Sequence, residues 1–217
     1  MYRKIVTGLR GGSLAIPGAL VLALCALARP QGAQSAARQD PPRQLAFEVS
    51  DFRDAQGKDW IHLSGEFECD YAEKMDAVLA ILWDFPEAPR VFSRIEAVRV
   101  RSSSTTRAVT EQRSAVRLLG FAFISDLVFD NVLAKRGEGE ASVSFELLES
   151  DGSCLSTSGN WELRDLSGPA GPRTNAKFTL DSYIQPRFPG QTAIMRGFGA
   201  EDMRKTMREL GEAIERS

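Results

Sequence analysis

Between Ile95 and Gln185 the chain passes through six segments rich in Val, Phe, Thr and Leu: 95–101, 105–117, 121–132, 140–149, 154–166 and 173–185. Only turn residues divide them, namely "SSS", Gly120, "RGEG", "DG" and "SGPAGP". Such spacers mark strand ends, and they are too short for the crossover that a parallel pair needs. Six consecutive strands in an antiparallel meander are therefore predicted. Asp151-Gly152 is the strongest hairpin signal among them, because a tight turn needs residues that tolerate positive φ.

Helical and strand periods frame this meander. "HLSGEFECD", 62–70, alternates Leu63, Phe67 and Cys69 with polar neighbours and reads as a half-buried strand. Next, Met75, Val78, Leu79, Leu82 and Trp83 recur at helical spacing until Pro86 ends the helix. A second short helix is predicted over 86–93. From Pro189 onward Met203, Met207, Leu210 and Ile214 form one apolar stripe on a long helix that must lie on the sheet. Glu201 and Asp202 follow Gly197 and Gly199, where a restarting helix would favour acids through its dipole. Residues 38–59 read as a linker or an edge strand, with 45–52 the candidate strand, and 60–217 as one α+β domain.

Residues 1–37 carry Arg3, Lys4, Arg10 and Arg29, no acid, and an apolar run from Leu14 to Ala28. This is the layout of a secretory signal peptide, and the run is short and interrupted by Pro17-Gly18 where a spanning helix needs about 20 apolar residues. Cleavage is expected after Ala37, with a periplasmic or secreted product; an uncleaved membrane anchor is the lesser alternative. Beyond residue 37 there are 23 basic and 29 acidic side chains, a balance of −6. That balance, without a clustered basic face, argues against a nucleic-acid partner.

The helix and strand order, together with Trp83-Asp84-Phe85, Pro89 and Phe92-Ser-Arg-Ile95 leading into "EAVRV", resembles the SRPBCC superfamily, the START and birch-pollen-allergen-like helix-grip proteins. Within it the chain is most similar to the polyketide cyclase/dehydrase and coenzyme Q-binding group. "GNWELRDL" at 159–166 and "TNAKFTLDSYIQP" at 174–186 resemble that group's late Trp-bearing strand and final strand. The resemblance covers about residues 60–216. It implies a curved seven-stranded antiparallel sheet wrapped around a long C-terminal helix, with two short helices after the first strand. It also implies an apolar cavity for lipids, quinones or polyketide-like molecules. In that arrangement Cys69 and Cys154 fall at opposite ends of the sheet, so no disulfide is expected, since bonded Cα atoms lie within about 7 Å.

Groups for catalysis are few. His62, the one histidine, has the parity of the face opposite Leu63 and Phe67, outside a cavity. No Ser–His–Asp set, metal-ligand spacing or phosphate-binding loop can be assembled. Asp126, Asp130 and Asp181 read as outward strand positions. Asp84, between two aromatics at a helix end, reads either as a cap for the following helix or as a polar ligand contact.

Apolar faces are generous: Phe121, Phe123, Leu127 and Phe129 on one strand, Val143, Phe145 and Leu147 on the next, and Leu155, Trp161 and Leu163 on another. The expected ligand-binding residues from the helix pair and the sheet are Trp83, Phe92, Phe121, Phe123, Phe145 and Trp161. From the last helix they are Phe198, Met203 and Met207, whose flexible methionines suit varied apolar shapes. The reading is an exported carrier for a hydrophobic small molecule, with no cofactor, no metal and peripheral membrane contact during ligand exchange. Two alternatives stand: a cyclase or dehydratase acting on a polyketide-like substrate, and an interaction module with a filled core.

Overall fold

The computed structural model describes residues 40–118 and 121–217, without the side chains of 117, 118, 121 and 122. The strands are β1 (Arg43–Arg53), β2 (Asp59–Tyr71), β3 (Ile95–Ser103), β4 (Arg107–Leu118), β5 (Phe121–Lys135), β6 (Glu140–Ser150), β7 (Cys154–Asp165) and β8 (Thr174–Ile184). The helices are α1 (Met75–Trp83), α2 (Ala88–Val91), which follows a 3-10 turn at Phe85–Glu87, and α3 (Gln191–Arg216). The strands form one antiparallel sheet in the order β1-β2-β8-β7-β6-β5-β4-β3. The expected meander is thus present as β3 to β8, and it closes back onto β2 through β8.

The sheet has eight strands, not the expected seven. Residues 43–53 form a full edge strand, and the two short helices come after the second strand. Phe47 and Val49 face inward opposite Gly65 and Leu63, while Leu45 and Phe52 stay largely exposed. The inward alternation is brief, which is why the segment reads as either a linker or an edge strand; it is the edge strand. The turn into β2 is held by Asp54, whose carboxylate accepts from the Gln56 and Lys58 amides and from the Trp60 indole. On the other side of β1, the Arg196 guanidinium of α3 donates to the Val49 carbonyl at 3.0 Å. This contact gives the edge strand a partner across the helix.

α3 is continuous through Gly197 and Gly199. The expected restart before Glu201 and Asp202 does not occur, and these acids pair with arginines instead: Glu201 with Arg204 and Arg208, Asp202 with Arg94. The helix packs on β1 and β2. Two glycines bring it close. A Cβ on Gly65 would sit 2.7 Å from Met203 Sδ, and one on Gly199 would sit 2.7 Å from the Phe47 ring. Tyr71, almost wholly buried, then donates its hydroxyl to the Met207 carbonyl at 2.9 Å.

Asp151-Gly152 does turn the chain, with Gly152 at φ 90°. The loop spans three residues rather than a tight pair, and Ser150 Oγ accepts the Gly152 and Cys154 amides. Cys69 pairs in register with Ala176 and Cys154 with Ile184. Those partners are eight residues apart on β8, roughly 26 Å at 3.3 Å per residue, so the two thiols cannot bond.

Candidate ligand cavity

Beside the α3 contact, the inner faces of β4 to β8 and the α1–α2 side enclose a cavity of about 310 Å³. One wall is a row of aromatic rings built by strand register. Trp161 lies opposite Phe178, and their rings stack at 4.5 Å. Phe145 stands 6.4 Å beyond Phe178, and Phe129 meets Phe145 edge to face at 5.7 Å. Gly159 makes this row possible: a Cβ there would come within 2.3 Å of the Phe145 ring and 2.5 Å of the Thr179 carbonyl. Leu82, Phe85, Ala88 and Phe92 close the helical side.

Burial grades along the cavity. At one end Val143, Trp161, Phe178 and Asn131 are each no more than 6% exposed. At the other, Val116 is 38% exposed, Arg187 is exposed, and Phe123 rests on Phe188 at 5.5 Å. The first is the deep end and the second the mouth. The segment after β8 is tied across the mouth by the Gln185 amide, which donates to the Ser153 carbonyl, and by the Arg187 amide, which donates to Gln191 Oε1 at 2.7 Å.

Two hydrogen-bonded polar sets are built into the wall. Thr157 and Ser182 share a hydrogen bond of 2.7 Å. On β4 and β5, Asn131 Nδ2 donates to the Ala108 carbonyl and to Thr110 Oγ1, and Gln112 also reaches Thr110. The charged lining residues are Arg94 and Arg187, with no carboxylate or imidazole among the described lining residues. Arg94 is neutralised by Asp202 at 2.6 Å. Cys154 also faces the cavity, and burial pushes its thiol above the ordinary 9.0.

Of the residues expected to contact a ligand, Phe92, Phe123, Phe145 and Trp161 come together here. Phe121 opens β5, and its side chain lies outside the described residues. Trp83 is half-buried against the core and meets Phe85 edge to face at 5.1 Å, so Phe85, not Trp83, reaches the cavity. Met203 and Met207 are buried in the packed layer between α3 and β2, because the sheet edge has taken the methionine stripe. Met195 and Gln191 line the cavity in their place. Phe198 is 57% exposed; it sits five residues from Met203, about 140° around the helix.

Asp84 is exposed, lies off the cavity and makes no side-chain cap bond, so the capping role is not observed. His62 lies on the outer face, bonded to Asp181 at 2.8 Å and stacked on Tyr183 at 4.5 Å. Asp126 and Asp130 pair outward with Arg113 and Arg107. Leu155 is exposed, because a bulge between Cys154 and Ser156 breaks the alternation. The sequence carries one signal for this inward polar set: Thr110, Gln112 and Ser114 share the parity of Val116. A separate depression of about 350 Å³ on the outer face is lined largely by charged side chains, among them Lys177 and Arg164, which pair with Glu66 and Glu140. It offers little apolar surface to a ligand.

No protein-family model matches the sequence, and no curated protein does. Solved structures do match. The STAR-related lipid transfer protein of Xanthomonas axonopodis (fragment 25-204) is similar with a TM-score of 0.58 at 15% identity, over 77% of this chain and 98% of that one. Human StAR-related lipid transfer protein 5 gives 0.57 at 12% identity, over 84% and 89%. The Zhui aromatase/cyclase of Streptomyces sp. R1128 gives 0.55 at 18% identity, over 71% and 94%. At these identities the likeness is one of fold: the chain, an eight-stranded antiparallel sheet with a long C-terminal helix laid on it, has a START-like helix-grip fold.

Proposed function

We propose that the protein binds and carries a hydrophobic small molecule without chemically changing it. The observation that carries this reading is the cavity itself: about 310 Å³ behind an aromatic wall, with no carboxylate or imidazole among its described lining residues. The volume falls at the lower end of the range for small-molecule sites, and apolar burial at about 25 cal/mol per Å² supplies the affinity. The likeness to two lipid transfer proteins supports the same reading. The likeness to an aromatase/cyclase keeps a cyclase or dehydratase as the second reading. Turnover would need a proton donor or acceptor at the ligand, and Asp84, the acid expected nearest the cavity, is outside it. An open cavity also weighs against the filled-core interaction module.

The leader-like composition of residues 1–37 adds export to the proposal, with the carrier acting in the periplasm or outside the cell. Native mass spectrometry of the protein purified from its own host tests both parts. A mature N-terminus near residue 38 and a co-purifying apolar molecule are expected. A bare protein that also takes up no apolar probe in solution would overturn the carrier reading, and an intact leader would overturn cleavage and release.

A further inference from the structure

Asn131 sits at the deep end of the cavity, 3% exposed, on the inward face of β5. Three acceptors surround its Nδ2: the Ala108 carbonyl at 3.1 Å, Thr110 Oγ1 at 3.0 Å and the Phe129 carbonyl at 3.3 Å. Two of these are backbone carbonyls, which only accept, so the atom facing them must be the amide nitrogen and the side chain has one possible orientation. Both amide protons are then engaged by the wall. The Oδ1 atom, which can take two hydrogen bonds, meets no protein donor among the described residues. Gln112, the next inward residue after Thr110 on β4, uses its amide nitrogen on Thr110 in the same way.

An acceptor that a ligand cuts off from water without replacing its donor is costly to bury, and the rings of Phe129 and Phe145 beside Asn131 Oδ1 cannot supply one. Resting on the carrier reading above, we infer that Asn131 selects the ligand: an apolar molecule carrying a hydroxyl or N–H donor at one end, bound with that end innermost. The rest of the molecule lies along Trp161, Phe178 and Phe145, and its far end reaches the mouth beside Arg187. A carboxylate or other acceptor-only head is disfavoured at the deep end, because it would face Asn131 Oδ1 with no proton to share.

The test uses two fluorescent probes of nearly equal shape, 1-hydroxypyrene and 1-methylpyrene, titrated into the full-length protein at a pH where the phenol is protonated. The hydroxyl probe is expected to bind about tenfold more tightly, since one buried hydrogen bond corresponds to about that factor. In Asn131→Leu the order reverses, because the hydroxyl is then buried without a partner, and the ratio of the two affinities is the readout. Equal or weaker binding of the hydroxyl probe by the unaltered protein overturns the inference, as does an unchanged ratio in the variant. If Asn131→Leu does not fold, the comparison in the unaltered protein still decides. Binding of 1-methylpyrene without any hydroxyl preference leaves the carrier reading standing and removes only the role of Asn131. If neither probe binds, the carrier reading fails and the inference fails with it.

Discussion

Gly159→Ala should disturb both the fold and the cavity, in a way that one further substitution partly reverses. Ordinary carbon contacts begin near 3.4 Å, and the added methyl would stand 2.3 Å from the Phe145 ring and 2.5 Å from the Thr179 carbonyl oxygen. The ring must retreat by about 1 Å and the β7–β8 pair must open by a similar amount. Phe145 can move only toward the cavity or toward Phe129 and Phe178, its ring neighbours. Overpacking of this kind costs about 1–3 kcal/mol. The lower backbone entropy of alanine in a strand offsets about 0.5–1 kcal/mol of it. A net loss centred on about 1 kcal/mol follows, or about 2–4 °C in Tm for a domain of this size. Thermal melting followed by circular dichroism measures the loss, and titration with 1-methylpyrene reports the reduced cavity. Adding Phe145→Leu to Gly159→Ala removes the ring contact but leaves the Thr179 contact. A double-mutant cycle should therefore show favourable coupling of about 0.5–1.5 kcal/mol. An unchanged Tm in Gly159→Ala, or strictly additive effects in the cycle, would refute the close-approach argument.

Tyr71→Phe removes the hydroxyl that holds α3 to β2 through the Met207 carbonyl, and should cost about 1 kcal/mol in urea unfolding with an unchanged m value. Burial pushes the Asp70 carboxyl upward, but donation from Asn175 and Arg173 outweighs it and leaves the group below its ordinary 3.8. A group depressed in the folded state stabilises above its unfolded value and loses that contribution as pH falls through the folded one. Asp70→Asn should therefore be less stable at neutral pH, and its stability should decline less steeply than that of the unaltered protein below about pH 4. Parallel acid limbs in the two proteins would contradict this. Cys154, raised by burial and lining the cavity, should react slowly with iodoacetamide near neutral pH and more slowly still when 1-methylpyrene is bound; peptide mass mapping reads both rates, and no protection by the probe would place the thiol outside the bound ligand's reach.

The order of elements was legible in the sequence because it rests on local periods and punctuation. Alternating Val, Phe and Thr between Gly, Asp and Pro turns has no other low-energy solution than a meander, and the stripe at Met203, Met207 and Leu210 must be covered by a sheet. The same parity placed His62 on the outer face and Phe145 and Trp161 on the inner one. Tertiary packing decided what periodicity cannot express. Edge strand β1 is held by contacts with α3 more than by its own alternation. The bulge at Leu155 reversed a face without any change in composition. Whether an inward side chain meets a neighbour or open space depends on which part of the sheet the helix covers. Gly65 and Gly199 let α3 settle on β1 and β2, so Met203 and Met207 became core. The uncovered strands β4 to β8 were left to form the cavity, with Asn131 at its inner end. A strand's parity says which way a residue points, and only the distance to the opposing layer says what it finds there.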